Sequence, residues 1–133
     1  RTSDAFLVEA IYLCGITATP PNVEIHKTAL GAEDSVAWKY YEDTTQAVRD
    51  LKSNGYIVSA IEQVENSISL EDIKPDKSKK YAVVLGNEVK GVQQSVVDIC
   101  DNSIEIPQFG TKHSLNISVT AGIVIWDFFK LLK

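Results

Sequence analysis

Cysteine is scarce in this chain. Cys14 and Cys100 are its two cysteines, each follows an apolar residue, and they form no CxxC pair. A disulfide framework is therefore not expected. The reading is two reduced core thiols in a reducing compartment, the cytoplasm. Histidine is equally scarce. His26 and His113 stand far apart without companion ligands, so no metal site is expected. Positive charge is in deficit, with 13 Lys and Arg against 18 Asp and Glu, a formal net charge of -5. That balance argues against a large electrostatic footprint for nucleic acid. A local exception is the cluster Lys74, Lys77, Lys79 and Lys80, with Asp76 alone against it. It reads either as a solvated loop or as a basic patch. Long apolar runs are missing too. Residues 121–129 are apolar except Asp127, but Asn116, Ser118 and Thr120 precede them. The stretch is too polar and too short for a membrane span of about 20 residues. It reads as a helix apolar on more than one side, buried in a core or partly in a partner subunit. No signal-peptide pattern, internal repeat or low-complexity segment is found.

What is present is an ordinary globular composition. The 133 residues are 44% hydrophobic and 23% charged, enough for one domain with a core that needs no staples. Short apolar runs alternate with helix-like stretches. Strands are expected over residues 10–14, 36–41 (near an edge), 56–61, 81–85 and 103–106. Helices are expected over residues 25–30 without a clear start signal and over 44–53 with Asp43 as N-cap and Asn54-Gly55 as stop. A short helix is expected near 94–100, and a last one runs from a cap at Ser114 to about Leu132. Residues 62–80 read as a polar loop. Continuously apolar strands separated by helices predict an α/β fold, a mostly parallel sheet with helices on both faces. Ligands of such sheets sit beyond the carboxyl ends of the strands.

The run VVLGNEVKGVQQ, residues 83–94, leaves one such end. Glycines at 86 and 91 bracket the loop and Glu88 stands at its tip. The loop is no P-loop, since GxxxxGK[ST] does not occur. It is no dinucleotide fingerprint either, since GNEVKG lacks the middle glycine of GxGxxG. Two readings fit it: a tight turn with a surface glutamate, or a glycine-bounded wall that a ligand approaches closely.

Three stretches separate these readings. They are RTSDAF (residues 1–6), VLGNEVKGV (84–92) and IPQFGTKHSLNISVTAG (106–122). Together, and in this order, they resemble the three motifs of the SpoU (TrmH-like) RNA 2′-O-methyltransferases of the SPOUT superfamily. HKTALGA (26–32) is similar to the short segment that follows the family's second strand. In the family an asparagine and a glycine stand upstream of the Arg-Thr pair. The expectation is therefore one SpoU domain over 1–133 whose first strand, helix start and first-motif asparagine are missing.

The resemblance implies an α/β knot, a deep trefoil at the C-terminal end, with S-adenosylmethionine held bent in the knotted loops. It implies transfer of the methyl group to a ribose 2′-hydroxyl of tRNA or rRNA, in a homodimer joined through the C-terminal helix. The implied catalytic residues are Arg1, Glu88, Ser114 and Asn116. The implied cofactor-binding residues are Ala60, Ile61, Glu62, Leu85, Gly86, Asn87, Gly91, Ile106, Pro107, Ser114, Leu115 and Ser118, largely through backbone groups. The first-motif arginine is often given the role of general base. An arginine stays protonated at ordinary pH, and a nearby phosphate stabilises the cation further. Arg1 is therefore read as a phosphate and ribose clamp. Glu88 also fits a structural role, accepting hydrogen bonds at the loop tip, and Ser114 also fits a plain N-cap. The rival reading is a non-catalytic RNA-binding or scaffold protein that retains the fold.

Overall fold

A computed structural model describes residues 1–87, 90–111 and 115–133. The chain forms two compact units, Arg1–Ala47 and Val48–Lys133.

In the first unit a short helix α1, Thr2–Ala5, precedes strand β1, Ala10–Cys14. Helix α2, Val23–Ala29, leads through a 3-10 turn to strand β2, Ala37–Tyr41. The strands pair in parallel, Ala10 opposite Ala37 and Cys14 opposite Tyr41. Helix α2 does have a start signal, contrary to expectation. Asn22 Oδ1 accepts the N–H groups of Glu24 and Ile25 at 3.0 and 3.2 Å, so the helix begins at Val23. In the sequence Asn22 merges with the preceding Pro-Pro loop, which hides the cap. The helix stops where Leu30 and Gly31 both turn left-handed.

Helix α3, Thr44–Ser53, begins in this unit and ends in the next. Its bounds and cap are those expected: Asp43 Oδ1 accepts from the Thr45 N–H at 2.9 Å and hydroxyl at 2.7 Å. Gly55, at φ 87°, turns the chain out of the helix.

The second unit is a parallel sheet. Its elements are β3 (Tyr56–Ile61), β4 (Ile68–Ser69), β5 (Lys80–Val84), α4 (Gln94–Val97), β6 (Asn102–Glu105) and α5 (Ile117–Leu132). The strand order is β4-β6-β3-β5 and every pair is parallel. Residues 62–80 are not all loop. Strand β4 and a 3-10 turn lie there, with Leu70 buried, and two or three residues are too few for any periodicity to show. Both β5 and β6 start one residue early, because polar Lys80 and Asn102 join the ladder opposite Tyr56 and Ser59.

Side-chain alternation sends the strands to two cores. On one face Val58, Ala82 and Val84 pack with Val48 and Leu51 of α3 and with Val96 and Ile99. On the other, Ile61, Val83 and Ile104 pack with Leu70, Val124 and Phe128, the last two from α5. Val58 and Val124 are fully buried, each contributing about 1.5–3 kcal/mol over exposure. Helices thus cover both faces, and the fold is mixed α/β with parallel sheets. Among the described residues no helix is long and apolar enough to cross a membrane.

The lysine cluster lies at the amino end of β5, and all four lysines are exposed. Asp76 organises the turn before it. Its carboxylate accepts the Ser78 hydroxyl and N–H, bonds that hold its carboxyl below the ordinary range. Its N–H donates to Tyr81 Oη at 2.7 Å.

Asp101 ties the entry of β6 to β3. Its Oδ2 accepts the Val58 N–H and its own N–H donates to the Val58 carbonyl, both at 2.8 Å. Lys52 Nζ donates to the Ile99 carbonyl at 2.9 Å beside it. Cys100, a free thiol between these groups, packs against the Val48–Val58–Val96 core. Burial pushes it up from the ordinary 9.0 to about 11, with Asp101 adding and Lys52 opposing. The fold favours the neutral thiol. Its contribution to stability is complete below the unfolded value and is lost as pH rises through the folded one. In a Cys14→Ser background, thiolate absorbance should rise only as pH nears 11. Alkylation by iodoacetamide at pH 8 should run about a hundredfold slower than for an unperturbed thiol, since the thiolate is the nucleophile. A titration midpoint near 9 would contradict this.

Candidate functional site

Parallel pairing places the carboxyl ends of β6, β3 and β5 side by side. A cavity of about 350 Å³ opens there, within the range of small-molecule sites. Ile61, Glu62 and Gln63 line it from the end of β3, and Leu85, Gly86 and Asn87 from the end of β5. Ile104, Glu105 and Ile106 come from β6, and Leu115, Ile117 and Thr120 from the start of α5.

The loop after β5 folds back on itself. The Gly91 N–H donates to the Asn87 carbonyl at 2.9 Å, and the Lys90 N–H to Asn87 Oδ1 at 2.6 Å. This fold depends on the two glycines. A Cβ on Gly86 would overlap the Gly91 carbonyl and the Val92 nitrogen. Gly91 has φ +65°, and a Cβ there would lie 2.5 Å from Glu62 Oε2. The space left empty is where the Glu62 carboxylate enters to accept the Val92 N–H at 2.8 Å. The Glu62 N–H in turn donates to the Ile104 carbonyl at 3.1 Å. One residue thereby links the ends of β3, β6 and the loop.

The structure brings together eight of the expected cofactor residues: Ile61, Glu62, Leu85, Gly86, Asn87, Gly91, Ile106 and Leu115 all line the cavity. Ala60 does not. It is fully buried inside β3, one residue short of the strand's end. Pro107 and Ser118 are not among the lining residues; Pro107 lies between lining residues Ile106 and Gln108. Asn116 is not inside the last helix, as expected, but is its N-cap, with Oδ1 accepting the Ser118 N–H at 2.8 Å. Ser118 is tied up in the same bond. Glu88, His113 and Ser114 lie outside the described residues, including the expected cap role of Ser114. Arg1 stands in the first unit, exposed, at the start of α1, among the residues around a smaller cavity of that unit. The sequence reading missed Gln63, Lys90, Ile104, Glu105, Gln108, Ile117 and Thr120. Counting two residues past β3 would have found Gln63, but the others depend on where β6, the following loops and the first turn of α5 run. Among the described residues no group of three His, Cys, Asp or Glu side chains is placed to hold a metal ion.

The lining suits a nucleoside-like ligand. Aliphatic Ile61, Leu85, Ile104, Ile106, Leu115 and Ile117 offer apolar faces, while the amides and carboxylates between them offer polar edges. Among the described residues, Glu62 and Glu105 against Lys90 give the wall a negative balance that suits a cationic group.

The loop's closure is testable without a ligand. Glu62→Ala should raise the exchange rate of the Val92 amide proton by about tenfold, the loss of roughly one hydrogen bond. Gly86→Ala should destabilise the fold by about 1–3 kcal/mol through overpacking. An unchanged Val92 exchange rate by NMR would show that the brace does not hold the loop.

Comparison with known proteins agrees with this geometry. A tRNA (guanosine(18)-2'-O)-methyltransferase of Aquifex aeolicus is 31% identical over 130 residues, 96% of this chain and 59% of that protein. A 23S rRNA (guanosine-2'-O-)-methyltransferase RlmB of Neisseria meningitidis is 31% identical over 125 residues, 94% of this chain and 49% of its own. The chain thus spans about half the length of the curated relatives it matches. Among solved structures, an AdoMet-bound rRNA methyltransferase from Sinorhizobium meliloti superposes with a TM-score of 0.89 at 26% identity, covering 100% of this chain and 50% of that one. The A. aeolicus TrmH/SpoU tRNA modifying enzyme gives 0.85 at 25% identity, covering 98% and 64%. The profile of the SpoU rRNA Methylase family matches residues 1–126, and the chain belongs to that family.

Proposed function

We propose that this chain is the catalytic portion of an S-adenosylmethionine-dependent RNA methyltransferase that methylates a ribose 2′-hydroxyl of tRNA or rRNA. One observation carries the reading: a glycine-closed cavity at the ends of three parallel strands, in a chain that superposes on an AdoMet-bound relative. The cofactor, when bound, supplies an activated methyl group on a sulfonium.

The chain's own residues bind and orient. Leu85, Gly86, Ile106 and Leu115 present backbone and aliphatic surface to the cofactor, and Ile61 with Glu62 closes the neighbouring strand's side. Asn87 and Gly91 keep the loop folded over it. Asn116, by capping α5, sets the helix start beside the cavity. Arg1 holds the RNA phosphate and ribose through charge-assisted hydrogen bonds and stays protonated throughout. The hydroxyl proton leaves late, to phosphate or solvent. Glu88 and Ser114 complete the reading as the family's second- and third-motif site residues.

The finer architecture follows the family. The two units act as one SpoU domain over 1–133, with the C-terminal segment tied in a trefoil knot. The family match across both units and the superposition support this. The protein works as a homodimer through α5, in the cytoplasm where its RNA resides. Val119, Ile123 and Trp126, spaced along one side of α5, are 50%, 38% and 45% exposed, an apolar stripe that a second copy would cover.

The test is calorimetric titration with S-adenosylmethionine, followed by transfer of labelled methyl to bulk tRNA and rRNA. Binding in the micromolar range and 2′-O-methylation of one RNA class are expected. Arg1→Ala should lower transfer by about 100-fold or more, in the range of lost transition-state contacts, while cofactor affinity changes less than about twofold. Absence of cofactor binding would sink the reading. Binding without transfer to either RNA would favour a scaffold that retains the fold, the reading that the acidic balance suits.

A further inference from the structure

We propose that Glu62 sets the charge selectivity of the cavity, favouring the cationic methyl donor over the neutral thioether left after transfer. This inference rests on the cofactor reading above. Its basis is how the carboxylate is held. The Glu62 backbone is pinned to β6 through the Ile104 carbonyl, and its Oε2 is pinned by the Val92 N–H. Gly91 gives it room where any side chain would push it away. The carboxylate is therefore fixed on the cavity wall instead of free to turn into solvent. Its partner is a neutral amide. Among the described residues no ammonium or guanidinium forms an ion pair with Glu62, and Lys90 is the one cation among those lining the cavity.

A fixed charge in a partly dry wall acts on a ligand's charge over several ångströms. During transfer the carbon–sulfur bond breaks with its electron pair left on sulfur, and the new carbon–oxygen bond uses the oxygen's pair. The released hydroxyl proton goes to solvent or phosphate. The ligand in the cavity therefore loses one positive charge. A wall carrying Glu62 holds the sulfonium more tightly than the thioether, which loads the donor and lets the spent product leave.

The experiment compares affinities for S-adenosylmethionine and S-adenosylhomocysteine by calorimetry in the wild-type protein and in Glu62→Gln. Glutamine keeps an oxygen for the Val92 N–H and removes only the charge. The donor-to-product affinity ratio should fall about tenfold in Glu62→Gln, mainly through weaker donor binding. An unchanged ratio, with both ligands still bound, overturns the proposal. A second measurement needs no variant. An analogue carrying an ammonium in place of the sulfonium should bind the wild type about tenfold more tightly than the thioether. Equal affinities would overturn the proposal as well. If neither cofactor nor product binds the wild type, it is the underlying cofactor reading that fails.

Discussion

The register of strand β3 between β6 and β5 is the constraint on which the second unit depends. Asp101 fixes it, exchanging two 2.8 Å hydrogen bonds with the backbone of Val58 just before β6 begins. A slip of one residue would turn Val58 away from its core and exchange the two faces of the strand. It would also move Glu62 out of reach of Val92. The same pairing that sorts apolar side chains into two cores therefore decides which groups arrive together at the carboxyl ends. Packing and site geometry are here consequences of one alignment.

The loop after β5 shows how a sequence feature with two readings acquires one. Glycines bounding a carboxylate-bearing loop fit a plain turn as well as a ligand wall. The structure shows close approach: the backbone at Gly86 touches the backbone at Gly91, and Gly91 admits Glu62. The turn and the wall are the same object. Its bracing comes from a residue 30 positions earlier, which no local pattern would connect to it.

Much of this fold was legible in the residues. Helix α3 and strand β3 carry their boundaries openly, in Asp43, Asn54-Gly55 and an unbroken apolar run. The start of α2 was not legible because its cap follows two prolines, and β4 was not because two residues carry no period. Asn116 was misplaced by the same kind of ambiguity: Ser114 and Asn116 are both good cap residues by type, and the structure gives the cap of α5 to Asn116. Among site residues, most of those expected at strand ends were found; Glu105 was passed over because the sequence set the end of β6 one residue later, and Thr120 enters only through helix rotation. The chemistry came from motif resemblance. Periodicity alone stops at a ligand site beyond parallel strands.

Strand β5 joins two features of opposite character. Exposed lysines crowd its amino end, and the cavity with its negative balance opens at its carboxyl end. Four residue steps, about 13 Å at 3.3 Å per residue, separate Lys80 from the last residue of the strand. That exceeds the screening length of about 8 Å at physiological salt. Charges at the lysine end are thereby largely screened from the acidic groups at the mouth, so the two ends of one strand keep separate electrostatic characters.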